Sequence, residues 1–217
     1  MFNFLWRYLN MKIKEYAVKN LKYTELPGFS KRQLDEHHDV LYVGYVKKLN
    51  EIQNKLPSVD LSQANATYSE LGELKREETF AANGILLHEE YFDNLGGNGK
   101  ESGHIVDEIK EEFGSYEKFL DTFKACSIAA RGWVVLSLNL WDGRLHIYSQ
   151  DIHNNGVVWS CVPLLVLDVY EHAYFIDYGV KRKDYIEAFF KNLEWSEVNK
   201  RYQVAKKMHT IYHKMDI

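Results

Sequence analysis

The sequence predicts an α+β fold: a long N-terminal α-helical hairpin, then a C-terminal α/β domain with a small three-stranded antiparallel sheet. Three observations carry this. Two segments, 31–56 and 64–95, space their apolar residues helically on either side of Pro57. The run GGNGKESG at 96–103 holds four glycines and reads as a linker. Beyond it, two strand-like runs flank LWDG at 140–143, a hairpin signal through Asp142-Gly143, and the apolar run VPLLVL at 162–167 supplies a third, buried strand.

Taken in order, residues 1–25 form an extension and arm, 26–98 the helical hairpin domain and 99–217 the α/β domain. Within the first ten residues FNFLWRYL is interrupted by Arg7 and too short to span a bilayer. It has no basic leader or small-residue cleavage site, so a soluble, cytoplasmic protein without membrane contact is expected. Ser30 can cap the first helix, whose stripe is Leu34, His37, Leu41, Val43, Tyr45, Leu49 and Ile52, and Pro57 stops it. The second helix carries a possible break near Gly72. Helices at 104–114 and 116–130 precede the sheet, and helices at 181–193 and 195–207 follow it.

Apolar residues make up 46% and aromatics 14%, a globular composition. With 27 basic and 31 acidic residues the net charge is −4, which argues against a nucleic-acid partner held by overall charge. Cys126 and Cys161 lie far apart and outside any CxxC pattern, so they read as small buried residues and not a zinc motif.

The chemistry concentrates at DVYEHAYF, 168–175, where the apolar third strand ends on a carboxylate. A buried carboxylate needs a cation, a hydrogen-bond network or exposure. His37 shares its helix face with Leu34, Leu41 and Tyr45, and His88 sits within the apolar GILLHEEYF at 84–92. Asp168 and His172 are four apart at a strand end, close enough to reach one point as the chain turns. Three inward imidazoles and one carboxylate suit a transition metal, provided that the four converge. His209 and His213 also have metal-binding spacing but fall in a polar tail with no third ligand. No nucleophile elbow, phosphate loop or paired Glu-x-x-His set is present.

The run from VPLLVLDVYEHAYF onward resembles the C-terminal signature of iron/manganese superoxide dismutases, in which a D-x-W-E-H-A-Y element supplies two metal ligands. The resemblance extends to LDEHHDVLYVGYVKKLN at 34–50, TFAANGILLHEEYF at 79–92 and RGWVVLSLNLWDG at 131–143, in the family's order. It implies one iron or manganese ion per subunit on His37, His88, Asp168 and His172, cycling by one electron to convert superoxide into dioxygen and peroxide. It makes Tyr45 the gateway tyrosine. It places His153, with Asn154 as runner-up, where the family sets an amide against metal-bound solvent, since Gly84 stands at the other amide location. Phe92, Trp133 and Tyr170 line the pocket, with Phe92 and Tyr170 standing where the family usually has Trp. Glu171 and Tyr174 fall at the subunit contact of a homodimer, with a tetramer as the alternative assembly, and Arg182 at the mouth of the substrate funnel. A non-catalytic relative and a different mononuclear oxidoreductase, with two His and one carboxylate, are the rival readings.

Overall fold

The computed structural model describes residues 15–156 and 158–214; the extension expected at 1–10 lies outside them. Ser30 opens the first helix, its Oγ accepting the Gln33 N–H at 3.0 Å. That helix, α1, runs over 31–55 but changes pitch. Lys31–Asp35 is α-helical, Glu36–Tyr42 is a π-helical turn and Val43–Lys55 is α-helical again. The expected stripe shifts accordingly: Leu34, His37, Leu49 and Ile52 are buried, whereas Tyr42 and Val46 take the deep positions and Leu41, Val43 and Tyr45 are half-buried.

The second helix, α2 (Glu70–Asp93), starts later than the apolar spacing suggests. Ser69 fixes its start by accepting the Gly72 N–H at 3.1 Å, which puts Gly72 in the first turn and not at a break. α1 and α2 pack as the N-terminal helical pair. The glycine-rich run that follows is docked and does not hang free. Gly97 N–H donates to the Asn192 carbonyl at 3.0 Å and Gly99 N–H to that of Leu193 at 3.1 Å. A Cβ on Gly97 would stand 2.3 Å from the Leu193 oxygen, so the close approach requires glycine there.

Next come α3 (His104–Phe113) and α4 (Tyr116–Ala129), the latter capped by Ser115. The sheet has the order β2-β1-β3 and is antiparallel, with β1 (Trp133–Asn139) buried throughout between β2 (Leu145–Gln150) and β3 (Cys161–Asp168). Pro163 is tolerated because β3 is an edge strand. Trp133 pairs with Asp168, so the tryptophan and the carboxylate share one rung at the end of the sheet. Asn94, just past α2, ties the helical pair to the sheet: its Oδ1 accepts the Val166 N–H at 2.8 Å.

A 3₁₀ turn (Glu171–Ala173) and a short α5 (Phe175–Tyr178) lead into α6 (Arg182–Lys191) and α7 (Trp195–Lys214). α7 extends beyond the expected end at 207, so His209 and His213 lie on an ordered helix and not in a ragged tail. His209 Nδ1 donates to the Leu140 carbonyl at 2.9 Å, which docks the end of α7 on the turn after β1. No helix among the described residues is long and apolar enough to cross a membrane.

Candidate metal centre

The four expected side chains arrive from four places. His37 comes from the π turn of α1, His88 from the middle of α2, Asp168 from the last residue of β3 and His172 from the following 3₁₀ turn. Their ligand atoms all lie within 4.8 Å of one another. Asp168 Oδ2 is the focus: His37 Nε2 stands 3.1 Å away, His172 Nε2 3.2 Å and His88 Nε2 3.5 Å.

The π turn explains how α1 serves this site. Two α-helical turns take about 7.2 residues, whereas His37 and Tyr45 are eight apart in the chain. A π turn absorbs one extra residue, which brings both onto one face. Both rings consequently meet His88, at centroid separations of 5.0 and 5.4 Å.

The electrostatics call for a cation. Asp168 is 0% exposed, and no Lys or Arg pairs with it among the described residues. Burial opposes its charge, but the neighbouring His172 and His37 outweigh that and hold the carboxyl well below the usual range. Burial pushes His37 and His88 down, so both imidazoles favour the neutral, metal-binding form. On His172, burial is outweighed by the Asp168 carboxylate, which raises its pKa. His88 Nδ1–H donates to the Gly84 carbonyl at 2.6 Å, leaving the Nε2 lone pair turned inward; that nitrogen is buried and has no hydrogen-bond partner. A neutral, oriented imidazole with an orphaned nitrogen beside an unpaired carboxylate fits a metal ion.

Around the four stands an aromatic wall. Phe92 sets its ring edge-on to His37 at 5.0 Å and Trp133 to His88 at 5.0 Å, while Tyr170 stacks on His172 at 5.1 Å. Tyr170 also anchors the carboxylate, its backbone N–H donating to Asp168 Oδ1 at 2.9 Å. Beyond the wall a relay is visible. Trp133 Nε1–H donates to His153 Nδ1 at 2.9 Å, so the neutral His153 carries its proton on Nε2 and donates it to Tyr45 Oη at 2.8 Å. Tyr45 is thereby left with its own hydroxyl proton to give.

Burial lowers the His153 pKa to about 4, so His153 does not titrate near neutrality as a free imidazole does. Burial, with the Asp168 charge, pushes Tyr45 up to about 12. Asn154 points elsewhere, its side-chain amide donating to Thr79 Oγ1 at 2.8 Å. A Cβ on Gly84 would lie 3.0 Å from the Tyr45 ring, so the glycine makes room for the tyrosine.

The remaining expected residues sit further out. Glu171 is exposed, with no side-chain partner among the described residues, beside the exposed apolar Phe175, Ile176 and Val180. Tyr174 is buried, stacked on Tyr185 at 5.0 Å and accepting the Arg182 Nε–H at 3.1 Å. The Arg182 guanidinium also donates to the Ala130 carbonyl at 2.8 Å, at the end of α4.

Three features went unread in the sequence. His38, beside His37, donates its Nε2–H to the Lys19 carbonyl at 2.8 Å and sets Nδ1 2.6 Å from Asp39 Oδ1, strapping the N-terminal arm to α1. Tyr185 donates to the Asp168 backbone carbonyl at 2.6 Å and accepts from Tyr91 at 3.1 Å, supporting the strand end from below. Phe80 packs on His153 at 4.4 Å. The only sequence signal for these was aromatic density on α2 and α6.

The model of the iron/manganese superoxide dismutase C-terminal domain matches residues 101–201. An iron superoxide dismutase of Aquifex aeolicus is 45% identical over 193 residues, covering 87% of this chain and 91% of its own. One from Cupriavidus metallidurans is 38% identical over 83% of this chain and 92% of its own. A manganese superoxide dismutase of Haloferax volcanii is 35% identical over 82% of this chain and 89% of its own.

Proposed function

The chain belongs to the iron/manganese superoxide dismutase family, an oxidoreductase acting on superoxide through iron or manganese, and we propose that His37, His88, Asp168 and His172 hold its ion. One observation carries this reading: three imidazole Nε2 atoms surround one oxygen of a fully buried carboxylate that has no basic partner among the described residues. With the ion bound, the site supplies one-electron exchange, by which one superoxide leaves as dioxygen and a second, with two protons, leaves as hydrogen peroxide.

The chain's own residues then manage protons and access. Asp168 compensates positive charge in a low-dielectric setting, and taking up one proton with each electron keeps the buried charge constant. Tyr45 donates from its hydroxyl toward the cavity while accepting from His153, so a proton lost by Tyr45 is replaced along the same line. His153 fills the place of the amide that family members set there. Phe92, Trp133 and Tyr170 limit water, and Arg182, pinned beside Tyr174, contributes positive potential at the entrance of a net-acidic protein.

The two halves of the chain, 26–98 and 99–217, each contribute one pair of ligands. The free carboxylate of Glu171 and the exposed Phe175, Ile176 and Val180 support a homodimer through this face. The absence of a long apolar helix among the described residues is compatible with a cytoplasmic setting.

The test is elemental analysis of the purified protein, with superoxide consumption measured after reconstitution with iron and with manganese separately. His88→Ala should lose bound metal and at least about a hundredfold of activity. Unchanged metal content in that variant would sink the ligand assignment.

A further inference from the structure

Two histidines outside the metal centre share one face of α7. His209 and His213 are one turn apart near the end of this helix, which is ordered over Trp195–Lys214. Side chains four residues apart on a helix are neighbours, and the two imidazole rings meet edge to face with centroids 4.4 Å apart. His209 is half-buried and His213 exposed, so the pair opens to solvent. It sits against the turn after β1. The other end of that strand starts at Trp133, on the rung of Asp168, so the two places are separated by roughly 20 Å of strand rise.

The surroundings prepare His209 as a ligand. A carbonyl oxygen only accepts, so the 2.9 Å contact of Nδ1 with the Leu140 carbonyl puts the ring proton on Nδ1 and leaves the lone pair on Nε2. Metal-binding imidazoles are oriented by such a bond on their other nitrogen. Gly143 keeps Nε2 uncovered: a Cβ at this position would stand 2.7 Å from it. The same turn carries Asp142, whose carboxylate accepts the Arg144 N–H at 2.9 Å and faces His146 Nε2 at 2.8 Å. An anionic group thus lies one residue from the opening and favours a cation there.

We infer that His209 and His213 bind a second divalent transition-metal ion, through Nε2 of His209 and one ring nitrogen of His213, with water in the remaining positions. Two imidazoles select zinc, nickel or copper over calcium and magnesium, which prefer oxygen ligands. Two protein ligands at the surface leave the ion exchangeable, unlike an ion held by four buried side chains. Both ligands come from α7, so this site fills without joining the two halves of the chain. Neither residue belongs to the four that converge at the buried centre, so the two sites load independently.

The test is zinc binding, by calorimetry, to protein whose buried centre is already filled with manganese. Zinc exchanges no electrons, so superoxide consumption can be followed in the same samples. The parent should take up one further zinc ion per chain. His213→Gln and, separately, His209→Gln should each weaken that uptake by at least about tenfold, with superoxide consumption per manganese unchanged. A glutamine at 209 keeps an amide to donate to the Leu140 carbonyl, and position 213 is exposed, so neither change removes a support of the fold. Copper(II) added to the iron-loaded parent should show coupling to two imidazole nitrogens in its electron paramagnetic resonance spectrum, and either variant should lose it. No uptake of zinc beyond the buried centre would overturn the site. So would zinc held, or copper coupled, by both variants as by the parent.

Discussion

Trp133 decides what His153 can do. Because the indole N–H occupies Nδ1, the proton of the neutral ring must sit on Nε2 and face Tyr45. A His at this place invites the expectation of a group that switches near neutral pH, but burial lowers its pKa to about 4 from the ordinary 6.5. The linkage has a definite sign. A group more easily protonated when unfolded favours the folded state above pH 6.5, and this contribution is lost as pH falls through 6.5 toward 4. It amounts to about 3 kcal/mol. His153→Gln, which keeps an amide donor for Tyr45 and does not titrate, should flatten that part of the stability–pH curve in thermal melts; a curve as steep as the parent's would contradict the assignment. Tyr45→Phe removes the hydroxyl proton at the cavity and should slow turnover by about tenfold or more with metal content intact, read by metal analysis beside superoxide consumption. The convergence of His37, His88, Asp168 and His172 was legible because histidine and aspartate inside apolar runs demand compensation. The direction of the His153 hydrogen bond was not, since it depends on a rung shared by Trp133, Gln150 and Asp168 that only the sheet register creates.

The π turn in α1 is the least legible element and one of the most consequential. Counting at 3.6 residues per turn places Leu41 between His37 and Tyr45 on the inner face, yet Leu41 is half-buried and Tyr42 lies fully inside. Apolar spacing averages over a helix and cannot see one inserted residue, whereas the helix ends were readable from Ser30 and Pro57. Deleting the exposed Val40 should restore continuous α-helical pitch with His37 and Tyr45 seven residues apart, still within about 20° of one face. The expected variant keeps its helical circular dichroism and its metal; loss of metal would show that the π turn does more than keep His37 and Tyr45 on one face. The glycine-rich run gives a second case. Its composition suggested a linker, but its amides are bonded to the end of α6 and the turn beyond. Gly97→Ala forces a methyl group against the Leu193 carbonyl and should lower stability by about 1–3 kcal/mol in denaturant melts, with activity per bound ion preserved. An unchanged midpoint would mean that this docking contributes little.

At the scale of the whole molecule the proposed metal centre would also be a fastener. His37 and His88 come from the helical pair, Asp168 and His172 from the sheet side, so an ion bound to all four joins the two halves of the chain. An ion that binds only the folded arrangement stabilises it by mass action, by about 2.7 kcal/mol when its free concentration is a hundred times the dissociation constant. Without it, three imidazoles and a fully buried carboxylate are left to satisfy one another. Chelation should therefore lower the melting temperature, and adding back iron or manganese should restore it. Asp168→Asn separates the two contributions. The neutral amide removes the buried charge, so at pH 8 the metal-free variant should melt no lower than the metal-free parent. It also removes the anionic ligand, so neither ion should raise its melting temperature or support superoxide consumption. If iron or manganese stabilised Asp168→Asn as strongly as the parent, the carboxylate would not be the centre on which the two halves close.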